Sequence, residues 1–284
     1  MRTILCILGG AAVGAFVVGL LWFDARGAGA EKPRGDVLAR VKDSGVVRVG
    51  VKADAPPFGV RDESGYYYGF DIDIANAIAR EIGVARVEFV TVTSADRIEK
   101  VASGEVDMAI ASMTITRGRE EKIDFTIPYF QDGQGLLVAA DSTVGSYEDL
   151  AGKTVGGVKG ATSVVNIREV QPDCRVREFA GYREALDALA AGKVDAITSD
   201  MLILMGLRLS AEKPEMFRLA GKRFSTEPYG IALAENQSDW RDALNDAIQK
   251  LWTKFIWQRI YENWFGENAR YGTDVQFKIE PFAE

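Results

Sequence analysis

Apolar residues recur along this chain at two spacings, and the two alternate. Val46 to Val51 form a short apolar run of the kind a buried strand shows. Phe70 to Ile82 then place Ile74, Ile78 and Ile82 on one helical face with Ala75 alongside. Gly83 stops that helix. A strand over 85–92, a helix over 95–103 and a strand over 106–111 complete a β-α-β-α-β array, an order that predicts a parallel sheet. Residues 142–222 repeat the plan: a turn at 147–150, strand 154–158, helix 163–169, strand 175–179, helix 182–191, strand 194–198 and helix 200–207.

The repetition reaches the residues themselves. Gly104-Glu-Val-Asp-Met-Ala-Ile-Ala-Ser112 is echoed by Gly192-Lys-Val-Asp-Ala-Ile-Thr-Ser-Asp200, and Val46–Lys52 by Lys153–Lys159. We therefore expect an α/β chain of two lobes built on one plan. Gly135 to Ala140 and Glu227 to Leu233 are extended apolar segments outside both arrays, and 135–141 and 222–230 are expected to cross between lobes. Lobe one then comprises residues 36–137 plus 228–284, and lobe two residues 138–227. A long helix over 239–264, with Trp240, Leu244, Ile248, Leu251 and Phe255 on one face, completes lobe one. Ligands of open α/β sheets sit at the carboxyl ends of strands. Here those ends carry Lys52, Ser112, Lys159 and Asp200, half-sites that face each other across a cleft.

The N-terminus changes the picture of location. Arg2 precedes an apolar run from Ile4 to Phe23, and Ala28-Gly-Ala30 follows before the polar linker 31–36. A basic start, an apolar core and a small-x-small site describe a signal peptide over residues 1–30, although the run is long enough for a retained anchor. Either way the remainder is delivered outside the cytoplasm. Composition then removes chemistries. With no histidine among its 284 residues the chain has no Ser-His-Asp or Cys-His mechanism and no His-ligated metal. Its two cysteines are Cys6 in the apolar run and Cys174, so no internal disulfide is expected beyond the leader. A net charge of −7 without basic runs argues against nucleic acid and leaves any anion site local.

The strongest local signal is Ala111-Ser-Met-Thr-Ile-Thr-Arg-Gly-Arg-Glu120, which follows a buried strand. Hydroxyls at Ser112 and Thr114, free N–H groups where a helix begins and the Arg119 fork together make a carboxylate receptor. The same residues also suit a Thr116 N-cap with Arg117 and Arg119 in solvent, and the pattern alone does not choose. Asp200, at a strand end facing the cleft, suits a cationic amine; alternatively it caps the helix after it.

Ser112-Met-Thr-Ile-Thr-Arg-Gly-Arg-Glu-Glu-Lys-Ile-Asp-Phe-Thr-Ile-Pro-Tyr-Phe130 resembles the signature of the extracytoplasmic solute-binding proteins of polar amino-acid ABC transporters, family 3. Gly69-Phe-Asp-Ile-Asp-Ile-Ala75, Asp149-Leu-Ala-Gly-Lys-Thr-Val-Gly156 and Asp195-Ala-Ile-Thr-Ser-Asp200 do the same, in the family's order, over about residues 36–266. The resemblance implies a periplasmic-binding-protein-like fold, two α/β lobes joined by two hinge strands. It implies a monomer that binds a free amino acid in the periplasm and passes it to a membrane permease, without a cofactor or metal and without catalysis. By that likeness Arg119 clamps the ligand α-carboxylate with Ser112 and Thr114 beside it. Thr162 meets the same carboxylate from lobe two, and Asp200 takes the α-ammonium.

Side-chain specificity follows from the same likeness. The place of Lys52 tends to be basic in relatives that take glutamate or aspartate, and Arg97 is placed like an arginine of acidic-amino-acid binders. Two cations near one cleft repel unless an anion joins them, so glutamate or aspartate is the expected ligand. Phe58, Tyr182 and Tyr229 are expected as wall residues, with hinge or core packing the other possibility. Two further readings stand beside this one: a prephenate-type dehydratase on the same fold with Asp200 or Glu227 as its acid, and a tethered amino-acid sensor.

Overall fold

A computed structural model describes residues 35–273 and 277–279. The signal-peptide or anchor segment expected over residues 1–30 lies outside the described residues, among which no helix is long and apolar enough to cross a membrane.

The described residues open with helix α1 (Val37–Ser44) and strand β1 (Val46–Val51). A small excursion follows, made of β2 (Asp54–Ala55), β3 (Gly59–Arg61) and β4 (Tyr67–Tyr68). Then come α2 (Phe70–Glu81), β5 (Arg86–Thr91), α3 (Arg97–Ser103) and β6 (Met108–Ala109). A one-turn helix α4 (Arg117–Glu120) leads to β7 (Asp124–Phe125), β8 (Phe130–Asp132) and β9 (Gln134–Ala139). The second array runs β10 (Thr154–Val158), α5 (Thr162–Val170), β11 (Arg175–Phe179), α6 (Tyr182–Ala190), β12 (Ala196–Asp200), α7 (Met201–Ser210) and β13 (Phe217–Ala220). β14 (Glu227–Tyr229), β15 (Ala232–Leu233), α8 (Ser238–Thr253) and α9 (Ile256–Phe265) follow.

The two larger sheets share one topology. The first has the order β5-β1-β6-β15-β7 and the second β11-β10-β12-β9-β13. In each, the opening strand sits between two parallel partners, β1 between β5 and β6, and β10 between β11 and β12. The Gly104 and Gly192 echoes therefore occupy equivalent strands, β6 and β12. Helix boundaries follow local chemistry. The Asp36 side chain accepts from the Ala39 N–H at 3.1 Å to start α1, and Gly45 at φ 67° ends it. The expected strand 106–111 is cut to Met108–Ala109 because the chain leaves the sheet and turns at Ser112, whose φ is 42°.

The first crossing lies earlier than the expected 135–141, and the second falls within the expected 222–230. β8 and β14 pair antiparallel, Asp132 opposite Glu227 and Phe130 opposite Tyr229, and these two strands join the lobes. β9, expected as a crossing, is an interior strand of the second sheet between β12 and β13, with Leu136, Leu137 and Val138 fully buried. The division expected at 137/138 therefore falls inside β9, and that at 227/228 inside β14.

The expected helix 239–264 is two helices. Phe255 stands between them in the left-handed region at φ 56° and is 67% exposed, so it does not share the buried face of Trp240, Leu244, Ile248 and Leu251. The break redirects α9 toward the hinge. Its Trp257 indole donates to the Tyr129 carbonyl at 2.9 Å. Phe265 packs 5.4 Å from Phe130 and 5.9 Å from Phe58. The hinge strands thus rest on an aromatic core built from both ends of the chain.

Candidate functional site

The site is assembled where β1, β6, β10 and β12 end. After β6 the backbone turns at Ser112, and its N–H donates to Asp71 Oδ2 at 2.8 Å. Asp71 Oδ1 accepts from the Tyr129 hydroxyl at 2.8 Å. Fully buried, Asp71 is pushed up to about 7 by loss of solvent, against the opposing pull of these two hydrogen bonds and of Arg97. From its place in the first turn of α2, Asp71 reads as a helix-dipole residue; its work is to hold the turn that presents Ser112 and Thr114.

Two guanidinium groups converge on this turn. Arg97, the first residue of α3, donates from Nη1 to the carbonyls of Ala111 at 2.5 Å and Ser112 at 3.3 Å. Its buried Nε has no hydrogen-bond partner among the described residues. Arg119 donates from Nη1 to the Thr114 carbonyl at 2.6 Å and from Nη2 to the Gly160 carbonyl at 3.2 Å. Thr116 caps α4, accepting from the Arg119 N–H, yet the Arg119 side chain is buried, not solvated. Burial, and then the nearby Arg97 charge, push Arg119 down to about 9. Asp200 and Glu227 pull it the other way, and it stays charged at neutral pH. Neither arginine has a carboxylate within 4.0 Å among the described residues.

The second lobe supplies the opposite charge. Asp200 ends β12, is 6% exposed, and accepts from the Tyr229 hydroxyl. Its side chain makes no cap bond to α7; that bond, to the Leu202 N–H at 2.9 Å, belongs to Asp132. Burial first, then the neighbouring Asp132 and Glu227 carboxylates, push Asp200 up to about 8. Glu227, on the hinge strand β14, accepts from Thr162 at 3.3 Å, Asn166 at 3.1 Å and Ser225 at 2.8 Å. The Thr162 hydroxyl proton is therefore turned toward Glu227, which leaves its lone pairs facing Thr114 Oγ1 3.5 Å away in the other lobe.

Lys52 is buried at the end of β1, with a different partner set from the one expected. Nζ lies 3.1 Å from Asp54 Oδ1 and 3.4 Å from Ser94 Oγ, and 5.3 Å from the centre of the Tyr182 ring. Burial lowers the Lys52 ammonium from its usual range, Asp54 raises it again, and Arg97 lowers it further. Tyr182 forms a wall beside Lys52 and its hydroxyl meets Ser199 at 3.0 Å. Tyr229 reaches Asp200, whereas Phe58 packs into the hinge, 5.3 Å from both Phe130 and Tyr229. Lys159 is exposed.

The lobes close tightly on one another. A Cβ on Gly160 would stand 2.4 Å from the Ser94 carbonyl oxygen, and one on Gly206 of α7 2.0 Å from that of Pro56. The structure therefore brings Lys52, Arg97, Ser112, Thr114, Arg119, Thr162 and Asp200 to one closed cleft. Asp54, Ser94, Asn166 and Ser199 are not singled out by the sequence, and Asp71 only as a first-turn acid of α2. Of the first four, Asp54 alone carries a signal there, two residues beyond Lys52 and so on the same side of an extended segment. Among the described residues no cluster of acidic side chains or thiols could hold a metal ion.

A buried arginine of one lobe and a buried carboxyl of the other thus stand where the lobes meet. The model of the bacterial extracellular solute-binding proteins, family 3, matches residues 47–267. The chain is 40% identical over 248 residues to the ABC transporter glutamine-binding protein GlnH of Bacillus subtilis (strain 168), covering 86% of this chain and 90% of that one. It is 32% identical over 249 residues to the glutamate-binding protein GluB of Corynebacterium efficiens, covering 83% and 84%. Among solved structures, an ancestral arginine-binding protein bound to glutamine matches with a TM-score of 0.75 and 38% identity, over 78% of this chain and 99% of that one. The chain belongs to the bacterial extracellular solute-binding proteins, family 3.

Proposed function

We propose that this protein captures a free polar amino acid in the periplasm and, as a monomer, delivers it to the membrane permease of an ABC transporter. The observation that carries the reading is the opposition of Arg119 and Asp200. They enter one closed cleft from different lobes, carry opposite charge when ionised, and do not pair with each other within 4.0 Å. An amino acid supplies both missing partners, its α-carboxylate for the Arg119 fork with Ser112 and Thr114, and its α-ammonium for Asp200. Thr162, with its proton committed to Glu227, acts as an acceptor or as a support for Thr114. That commitment also argues for binding over the dehydratase alternative, since Glu227 spends its oxygens on three fixed donors and Asp200 accepts from Tyr229.

For the ligand side chain we favour an amide, glutamine first, over the glutamate or aspartate expected from Lys52 and Arg97. Lys52 is already matched by Asp54. The similarity to a glutamine-binding protein points the same way. Calorimetric titration of the full chain with the twenty amino acids tests the proposal. Saturable binding of glutamine, with arginine and lysine silent, is expected; a protein that binds no amino acid, or only a basic one, contradicts it.

A further inference from the structure

Asp54 touches both lobes. Its Oδ1 meets the Lys52 ammonium at 3.1 Å, and its Oδ2 accepts from the Tyr182 N–H at 2.9 Å, the first N–H of α6 in the second lobe. A Cβ on Gly181 would come within 2.6 Å of the same oxygen, so the glycine before α6 admits the carboxylate to the helix end. Asp54 is thus fixed from two directions, by a cation of its own lobe and by a backbone donor of the other.

The consequence falls on Lys52. An ammonium has three donor directions, and protein groups stand along three: the Asp54 carboxylate, the Ser94 hydroxyl at 3.4 Å and the face of the Tyr182 ring at 5.3 Å. A ligand carboxylate arriving here would have to displace one of them, and it would approach Asp54, a like charge. A neutral carboxamide meets neither obstacle. Its oxygen can accept from the Arg97 Nε, and its NH2 can donate toward a carbonyl oxygen that a carboxylate would only repel.

We propose that Asp54 is the specificity-determining residue of this cleft: by neutralising Lys52 while anchored to the opposite lobe, it turns a cation-lined cleft toward a carboxamide ligand and away from a carboxylate one. The proposal rests on the reading of the protein as an amino-acid receptor. It accounts for a lysine and an arginine standing at the side-chain end of a cleft that does not thereby become an acid receptor.

The test is the ratio of glutamate to glutamine affinity, measured by calorimetry on the full chain. Asp54→Asn keeps an acceptor for the Tyr182 N–H and removes the charge, so Lys52 is left for the ligand. The ratio is expected to rise at least about tenfold, a change of ~1.4 kcal/mol. Lys52→Gln added to Asp54→Asn should return the ratio to near its original value, because the effect acts through that lysine. Loss of closure alone would weaken both ligands together and leave the ratio unmoved. If Asp54→Asn does not fold, Asp54→Ser makes the same comparison with a smaller acceptor. A ratio that stays within about twofold while both ligands bind overturns the proposal and leaves the amino-acid reading intact. A wild-type protein that binds glutamate more tightly than glutamine also overturns it, and one that binds neither overturns both.

Discussion

The Arg119 guanidinium, rooted in the first lobe, donates to the Gly160 carbonyl of the second across 3.2 Å. One buried cation thus joins the lobes and faces the cleft between them. Arg119→Ala is expected to remove detectable amino-acid binding while the fold survives. Loss of a charge-assisted partner inside a closed cleft costs ~3–5 kcal/mol, against about −8 kcal/mol for micromolar affinity. Calorimetry beside a thermal melt checks it, and a normally melting variant that binds within about threefold of the parent contradicts it.

Gly160 should be intolerant of any side chain. It sits at φ +82°, and a Cβ there would stand 2.4 Å from the Ser94 carbonyl oxygen of the facing lobe. Gly160→Ala is expected to hold the lobes apart. Under saturating glutamine, small-angle scattering should show a contraction for the parent and a larger radius of gyration for the variant. Equal contraction of both would show that the contact does not limit closure.

Affinity should depend on pH through Asp200. Burial and the carboxylates of Asp132 and Glu227 hold it at about 8, with Tyr229 and Arg97 pulling the other way, so the ligand-free protein carries its proton at neutral pH. A ligand ammonium favours the ionised form and expels that proton. Affinity should therefore climb as pH rises toward about 8 and then level, by up to about tenfold per unit. The ligand-free fold should show the opposite slope. Asp71 and Asp200 are both raised above their unfolded values, so their contribution to stability is lost as pH rises from the ordinary carboxyl range toward about 7 and about 8. Calorimetry in buffers of different ionisation enthalpy should register proton release on binding below pH 8. Identical enthalpies across those buffers would exclude it.

Glu227→Gln should loosen the hinge end of the second lobe. Thr162, Asn166 and Ser225 all donate to this carboxylate, and an amide can accept from them only through its single oxygen. A stability loss of ~1–3 kcal/mol is expected, read from denaturant midpoints at constant slope. An unchanged midpoint would mean that the three donors find other acceptors.

Much of the fold is legible in the amino-acid sequence. Helical and buried-strand spacing located both arrays, and the Gly104 and Gly192 echoes correctly placed β6 and β12 as equivalents with Ser112 and Asp200 at their ends. What failed to show in the sequence depends on contacts between distant segments. Asp54 and Tyr182 meet across 128 positions, and Asp71 meets Tyr129 across 58. In sequence each aspartate is only an acid near a strand or helix end. β9 was misplaced because an apolar run reads alike as a crossing and as an interior strand. The break at Phe255 was hidden because an apolar residue at helical spacing says nothing of a left-handed backbone. The pairing of Lys52 with Asp54, which bears on the expected acidic side chain, likewise shows only in the folded chain.

The claim that Arg119 and Asp200 read the two charges of an amino acid is tested most directly by removing those charges from the ligand. Glutamine is titrated beside 4-aminobutyramide, which lacks the α-carboxylate, and glutaramic acid, which lacks the α-ammonium. Each analogue should bind at least about 100-fold more weakly than glutamine, a loss of ~2.7 kcal/mol or more. Either analogue binding within about tenfold of glutamine would contradict the assignment of the group it lacks.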